Sequence, residues 1–109
     1  MNGCGRSCSK SARSKRPLTP SSEAVLRRRI VTAIKRQYPQ AWEYHPCDRF
    51  RVGVPDELLC INGRFIALEI KRHGQHPTPL QQETLKRIRQ AGGIAVVLTS
   101  VEQLDALLP

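Results

Sequence analysis

The chain lacks any apolar run approaching the ~20 residues that a membrane-spanning helix needs. Its basic N-terminus is followed by no apolar segment, so a secretory signal is not expected there. Acids are scarce: nine Asp and Glu face eighteen Lys and Arg, for a net charge of +9. That balance favours a polyanion as partner. Cysteine is sparse too. Cys4, Cys8, Cys47 and Cys60 show no disulfide-rich framework, so a reducing, cytoplasmic setting is expected. Cys60 falls within an apolar strand and reads as a buried thiol. Joining Cys4 and Cys8 to His45 and Cys47 would make four zinc ligands. The two pairs lie far apart and the Cys4–Cys8 spacing has no matching second pair, which argues against a zinc site. There is no internal repeat.

What is present fits one domain. At 109 residues the chain can bury a modest core, and a domain of this size often gains from a partner subunit. Residues 1–20 are rich in Ser, Gly, Arg and Lys and close on Pro17 and Pro20. They offer nothing for a core and read as a basic disordered arm. Arg6, Lys10, Arg13, Lys15 and Arg16 carry about half of the excess charge and suit loose contact with phosphates. The folded domain is expected over 21–109.

Ser21 or Ser22 can cap a helix running to about Gln37, with Leu26, Ile30, Ala33 and Ile34 as its apolar stripe. Arg27, Arg28, Arg29, Lys35 and Arg36 lie mostly outside that stripe. Tyr38-Pro39 ends the helix, because the residue before proline avoids the helical region. Ala41 to His45 is predicted as a short strand and Pro46 to Pro55 as a loop. Glu57 to Ile61 and Arg64 to Lys71 are predicted strands joined by Asn62-Gly63, the strongest two-residue hairpin signal. In the second of them Ile66, Leu68 and Ile70 point one way, and Phe65, Ala67, Glu69 and Lys71 the other. Both faces are apolar before the charged end, so both should be covered. Thr78, Pro79 and Gln81 spell a capping box for a second helix with Leu85 and Ile88 inward, stopped by Gly92-Gly93. Ile94 to Leu98 reads as a buried strand. Ser100 and Gln103 cap a last short helix bearing Leu104, Leu107 and Leu108. The expected order is αβββαβα, an α/β fold with a mixed sheet flanked by helices.

Asp56 follows Pro55, and Glu69-Ile70-Lys71 comes thirteen residues later. The two acids stand at equal distances from the hairpin turn, so they can meet at one end of the sheet. Two carboxylates at the rim of a core repel unless a cation lies between them. Mg²⁺ or Mn²⁺ suits such a site, taking one or two carboxylates, waters and a phosphate oxygen. The Ile70 backbone carbonyl is a further candidate ligand. Such a metal activates water and polarises a phosphodiester, and Lys71 can offset charge growing on the phosphate. Glu23 lies one turn ahead of Leu26 and is expected on the same inward face, although first-turn dipole compensation would also explain an acid there. Gln81 is the capping-box residue and also lies one turn before Leu85, within reach of the scissile phosphate or Lys71. His45, His73 and His76 fall in or beside loops, where solvated histidines are common.

Glu23, Gly53-Val54-Pro55-Asp56, Arg64 through Lys71, Pro77-Thr78-Pro79-Leu80-Gln81 and Ala91-Gly92-Gly93 together resemble the virus-type replication–repair nuclease domain, VRR-NUC, of the PD-(D/E)xK superfamily. The resemblance spans roughly residues 21–108. It implies a restriction-endonuclease-like core and divalent-metal-dependent cleavage of DNA. It assigns metal binding to Asp56 and Glu69, catalysis to Lys71, a joining role to Glu23 and an active-site-adjacent role to Gln81. It further implies a stand-alone phage or bacterial enzyme that resolves junctions as a homodimer, in a bacterial cell or phage-infected host. Trp42, Tyr44 and the Ile94–Leu98 strand are candidate dimer faces. The arm lies outside the resemblance.

The expected function is therefore a metal-dependent, structure-selective DNA endonuclease acting on branched DNA. Arg27, Arg28, Lys35, Arg36, Lys86, Arg87 and Arg89 are the candidate phosphate contacts. The competing readings are a non-catalytic DNA-binding module on the same fold, and an exonuclease or restriction-type relative.

Overall fold

A computed structural model of the chain describes residues 22–47 and 52–107. The basic arm, Ser21, residues 48–51 of the loop and Leu108 lie outside the described residues. Helix α1 (Glu23–Gln37) leads to strands β1 (Trp42–Tyr44), β2 (Glu57–Ile61) and β3 (Arg64–Ile70). Helix α2 (Pro79–Gln90), strand β4 (Ile94–Leu98), a 3₁₀ turn (Val101–Gln103) and helix α3 (Leu104–Leu107) follow. The four strands make one sheet in the order β1-β2-β3-β4. The first three are antiparallel, and β4 joins β3 in parallel through the α2 crossover. The observed order is the expected αβββαβα, in a mixed sheet between helices.

The punctuation acts as its chemistry dictates. The Ser22 hydroxyl accepts from the Val25 N–H and starts α1. At α2 the Thr78 hydroxyl accepts from the Gln81 N–H while the Gln81 side chain accepts from the Thr78 N–H, with Pro79 at the first helical position. Asn62 and Gly63 both have positive φ, as a tight hairpin turn requires. That turn sets the register, pairing Leu59 with Ile66 and Glu57 with Leu68.

Register then sorts side chains between two faces. Leu26, Ile30 and Ile34 of α1 cover Leu59, Ile61, Ile66, Leu68, Ile70 and Leu98, closed off by Leu104. This is the main core, and truncating Ile30 within it should cost about 2–5 kcal/mol. Ala67, Ala95 and Leu85 of α2 form a smaller core on the other face, bordered by Leu58, Ile88 and Val97. The small residues let α2 lie close to β3 and β4. Helix α2 leaves β1 and the outer part of β2 uncovered on its side.

Two expectations are corrected there. Cys60 is exposed, not buried, because its register partners Trp42 and Phe65 share the uncovered α2-side face. The first strand is shorter than predicted, Trp42–Tyr44, leaving Ala41 and His45 outside it. Among the described residues no helix is long and apolar enough to cross a membrane.

Candidate active site

Asp56 sits at the mouth of β2, and the chain before it is held by close contact. Gly53 has φ +88°, and a Cβ there would stand 2.8 Å from Leu80 Cγ at the start of α2. Only glycine combines that conformation with that approach. Pro55 is buried, and Asp56 is half-buried. The Asp56 carboxylate accepts the Ile70 backbone N–H at 2.8 Å, which draws it across onto the end of β3.

Extending the Glu57–Leu68 pairing by one step places Asp56 beside Glu69. Glu69 is 1 % exposed, and neither of its carboxylate oxygens has a hydrogen-bond partner. The Lys71 Nζ stands 3.5 Å from Glu69 Oε2. Burial, followed by the Asp56 charge, pushes the Glu69 carboxyl up to about 7, with Lys71 pulling the other way. An acid this well buried, beside a second acid and countered only by the Lys71 ammonium, is costly as it stands. A hard divalent cation is the chemical partner that would relieve it, so Asp56 and Glu69 fit the group expected from the sequence. Among the described residues no set of three or more His, Cys, Asp or Glu side chains lies close enough together to hold a metal. The protein's acidic donors here are thus two carboxylates, as a water-rich Mg²⁺ site permits.

The opposite face at the same end of the sheet carries a second polar cluster. Glu57 is fully buried beneath α1. Arg27 donates to Glu57 Oε2 at 3.1 Å, and His45 Nδ1 lies 3.5 Å from the same oxygen. His45 Nδ1 also lies 2.6 Å from the Asp56 carbonyl oxygen. Burial, then the neighbouring Glu43 carboxyl, pushes Glu57 up to about 9, and Arg27 only partly counters this. Glu43 is held below the usual carboxylate range, first by its interaction with Glu57 and further by Lys35, whose Nζ is 3.5 Å away. Sequence reading passed over Glu57 because it stands next to Asp56. The available signal was its parity: Glu57, Leu59 and Ile61 share one face, and the other two are core.

The remaining expected residues divide. Glu23 does not join the carboxylates. It is exposed at the first position of α1, and α1 packs on the face opposite Glu69. Gln81 commits its side-chain oxygen to the Thr78 N–H of the helix cap. The observed contact of Ile70 is made by its N–H rather than its carbonyl. Arg27 is not an outward cation but the partner of Glu57, and its side chain is 20 % exposed. Lys35 pairs with Glu43, Arg87 with Glu83 at 3.1 Å, and Arg89 donates to the Ala95 carbonyl at 2.8 Å. Arg36 and Lys86 are exposed and Arg28 is partly so. Trp42 and Tyr44 are exposed and stacked with ring centroids 6.1 Å apart, on the same face as Glu69. A concavity of about 610 Å³ lined by Gly63, Phe65, Ile88 and Gly93 lies at the hairpin-turn end, away from the carboxylates.

No family model matches the chain. Over 60 residues it is 40 % identical to "Putative nuclease p44" of Acyrthosiphon pisum secondary endosymbiont phage 1, a match covering 54 % of this chain and 63 % of that protein. The chain therefore spans less than two thirds of that relative. Two solved structures share the architecture. One, described as "VRR_NUC domain", superposes with a TM-score of 0.63 at 23 % identity, over 84 % of this chain and 96 % of its own. The other, "VRR_NUC domain protein", gives a TM-score of 0.62 at 22 % identity, over 85 % and 87 %.

Proposed function

We propose that this chain, whose fold is that of VRR-NUC domains, is a divalent-metal-dependent DNA endonuclease selective for branched DNA and active as a homodimer. The observation that carries the reading is Glu69. Its two oxygens are buried without hydrogen-bond partners, beside Asp56 and with Lys71 at 3.5 Å as countercharge. A domain that only bound DNA would have no use for so costly a group. The named phage relative points to the same chemistry.

In this reading Asp56 and Glu69 hold Mg²⁺ or Mn²⁺, with the Ile70 carbonyl as a further ligand. Such an ion lowers the pKa of a bound water and polarises the phosphodiester. The protein's own groups do the rest. The Ile70 N–H fixes the Asp56 carboxylate, leaving its second oxygen for the ion. Lys71 neutralises charge growing on the phosphate, in a half-buried setting where that charge is worth more than in water. Helix α2 begins beside the loop that carries Asp56, and Gln81 there can offer its amide nitrogen. Glu23 is given no ligand role.

Binding rests on backbone charge, with Arg28, Arg36 and Lys86 as the cations most available to phosphate. Cutting both strands of a four-way junction needs two sites related by two-fold symmetry. The exposed Trp42–Tyr44 pair supports a second copy on that face.

The test is incubation of purified protein with labelled four-way junction, flap, linear duplex and single strand, in Mg²⁺, Mn²⁺ and EDTA. Asp56→Ala and Lys71→Ala are run alongside. Paired nicks confined to the junction are expected. Cutting in EDTA, or cutting unaffected by both substitutions, would sink the reading.

A further inference from the structure

We infer that Glu57, through His45, is the positioning residue for Asp56, and that Arg27–Glu57–His45 forms a strut from α1 to the backbone of the metal-binding strand. The inference rests on the proposed role of Asp56 and adds residues which that role does not require.

Three observations carry it. The first is topological. Tyr44 pairs with Leu58, so the next step of the β1–β2 ladder sets His45 opposite Glu57, on the α1 face. The imidazole thus reaches the strand behind the acids and never enters the face where Glu69 lies. The second is geometric. A carbonyl oxygen can only accept, so His45 Nδ1 carries the proton and donates it to the Asp56 carbonyl at 2.6 Å. The same nitrogen is 3.5 Å from Glu57 Oε2, and that oxygen accepts from Arg27 at 3.1 Å. The third is the economy of the contact. Asp56 lies at the end of a loop, just before β2 begins. It is held on its side chain by the Ile70 N–H and on its main chain by His45. Without His45 the main-chain anchor of Asp56 is lost, and its carboxylate is held by the Ile70 N–H alone.

Burying an acid under a helix is expensive, and a hydrophobic residue there would serve the core as well or better. Glu57 is at 0 % exposure, with Leu59 and Ile61 next to it on the same face. Its neighbours Arg27, Glu43 and His45 give the cost a purpose: the cluster backs the imidazole that holds Asp56. Groups behind a metal ligand that set its orientation commonly govern metal affinity by 10–100-fold.

The experiment compares wild type, Glu57→Leu, Glu57→Gln and His45→Ala. Calorimetry measures Mn²⁺ affinity, and amide NMR without metal follows the Ile70 N–H and its exchange. Kinetics on the junction substrate separate kcat from KM, and melting curves identify any variant that fails to fold. His45→Ala guards against that failure, because the ring is partly exposed and its loss opens no core.

The expected result is that Glu57→Leu and His45→Ala weaken Mn²⁺ about 10–100-fold. They should lower kcat with KM for DNA unchanged, and shift and deprotect the Ile70 amide. Glu57→Gln, which keeps an acceptor for both partners, should stay close to wild type. Folded His45→Ala with an unmoved Ile70 amide and wild-type Mn²⁺ affinity would overturn the strut. Should wild type itself bind no Mn²⁺ at the carboxylates, the metal reading fails, and the Ile70 amide still decides the strut.

Discussion

The carboxylate of Asp56 accepts the backbone N–H of Ile70 at 2.8 Å, a side-chain bond across the end of a β-hairpin. It does two things at once. It satisfies a main-chain donor at the rim of the core, and it locks one acid beside another whose oxygens have no hydrogen-bond partner and whose countercharge is Lys71. The site is therefore assembled by ordinary backbone satisfaction, and its tension is concentrated on Glu69.

That tension can be measured. Glu69→Gln removes a buried charge, so the metal-free variant should melt higher than wild type, while DNA cutting should fall by roughly 10²–10³-fold or more. Calorimetric melting in EDTA and a single-turnover assay in Mg²⁺ check the two halves. A lower melting temperature would show that the carboxylate is already compensated.

Stability should depend on pH in a defined direction. The folded protein holds the Glu69 proton up to about 7 and the Glu57 proton up to about 9, against 4.5 for each when unfolded. Between those values the folded state binds more protons than the unfolded one, so stability falls as pH rises. The Glu69 contribution is present below about 4.5 and gone above about 7, and that of Glu57 is gone above about 9. In EDTA the melting temperature should drop by roughly 5–10 °C from pH 5 to 9. Glu57→Gln should flatten the part above pH 7. Saturating Mg²⁺ should reduce the part below it.

Gly53→Ala should damage the site from outside it. The added methyl meets Leu80 at 2.8 Å and the backbone is left-handed there, a conformation that costs an L-residue about 1–2 kcal/mol. The expected outcome is a modestly lower melting temperature with a larger loss of metal affinity. Gly63→Ala, where nothing lies within 4 Å, should cost similar stability and leave the metal site unchanged.

Phosphate contacts are testable by salt. Removing Arg36 or Lys86, both exposed and outside any ion pair among the described residues, should lower the slope of log K against log salt by about 1 each. Arg89→Ala should change that slope little and destabilise the fold instead, since its Nε holds the Ala95 carbonyl. Fluorescence anisotropy over a salt series distinguishes them.

Most of the fold was legible because its signals are local. The Thr78–Gln81 box, Asn62-Gly63 and the alternation in β3 each act within a few residues. The pairing of Asp56 with Glu69 was legible for the same reason, since a two-residue turn fixes what lies opposite what. Cys60 was misread because strand alternation says which residues share a face but not whether a helix reaches far enough to cover it. Helix α2 stops over β3 and β4. Glu23 was expected on the inward face of α1 but stands exposed at its first position, because the apolar stripe places a residue on a face without saying where along the helix burial begins. Arg27 and His45 could not be assigned, as their partner Glu57 is thirty residues from one and twelve from the other, and only the folded sheet brings them together.

Asp56 and Glu57 are neighbours that serve opposite sides of one sheet. A one-step slip of the β2–β3 register would exchange them, and would also turn Leu59 and Ile61 out of the main core. Glu57 would then stand on the Glu69 face, and Asp56 would turn under α1. The core side chains that hold the register therefore also decide which acid stands beside Glu69.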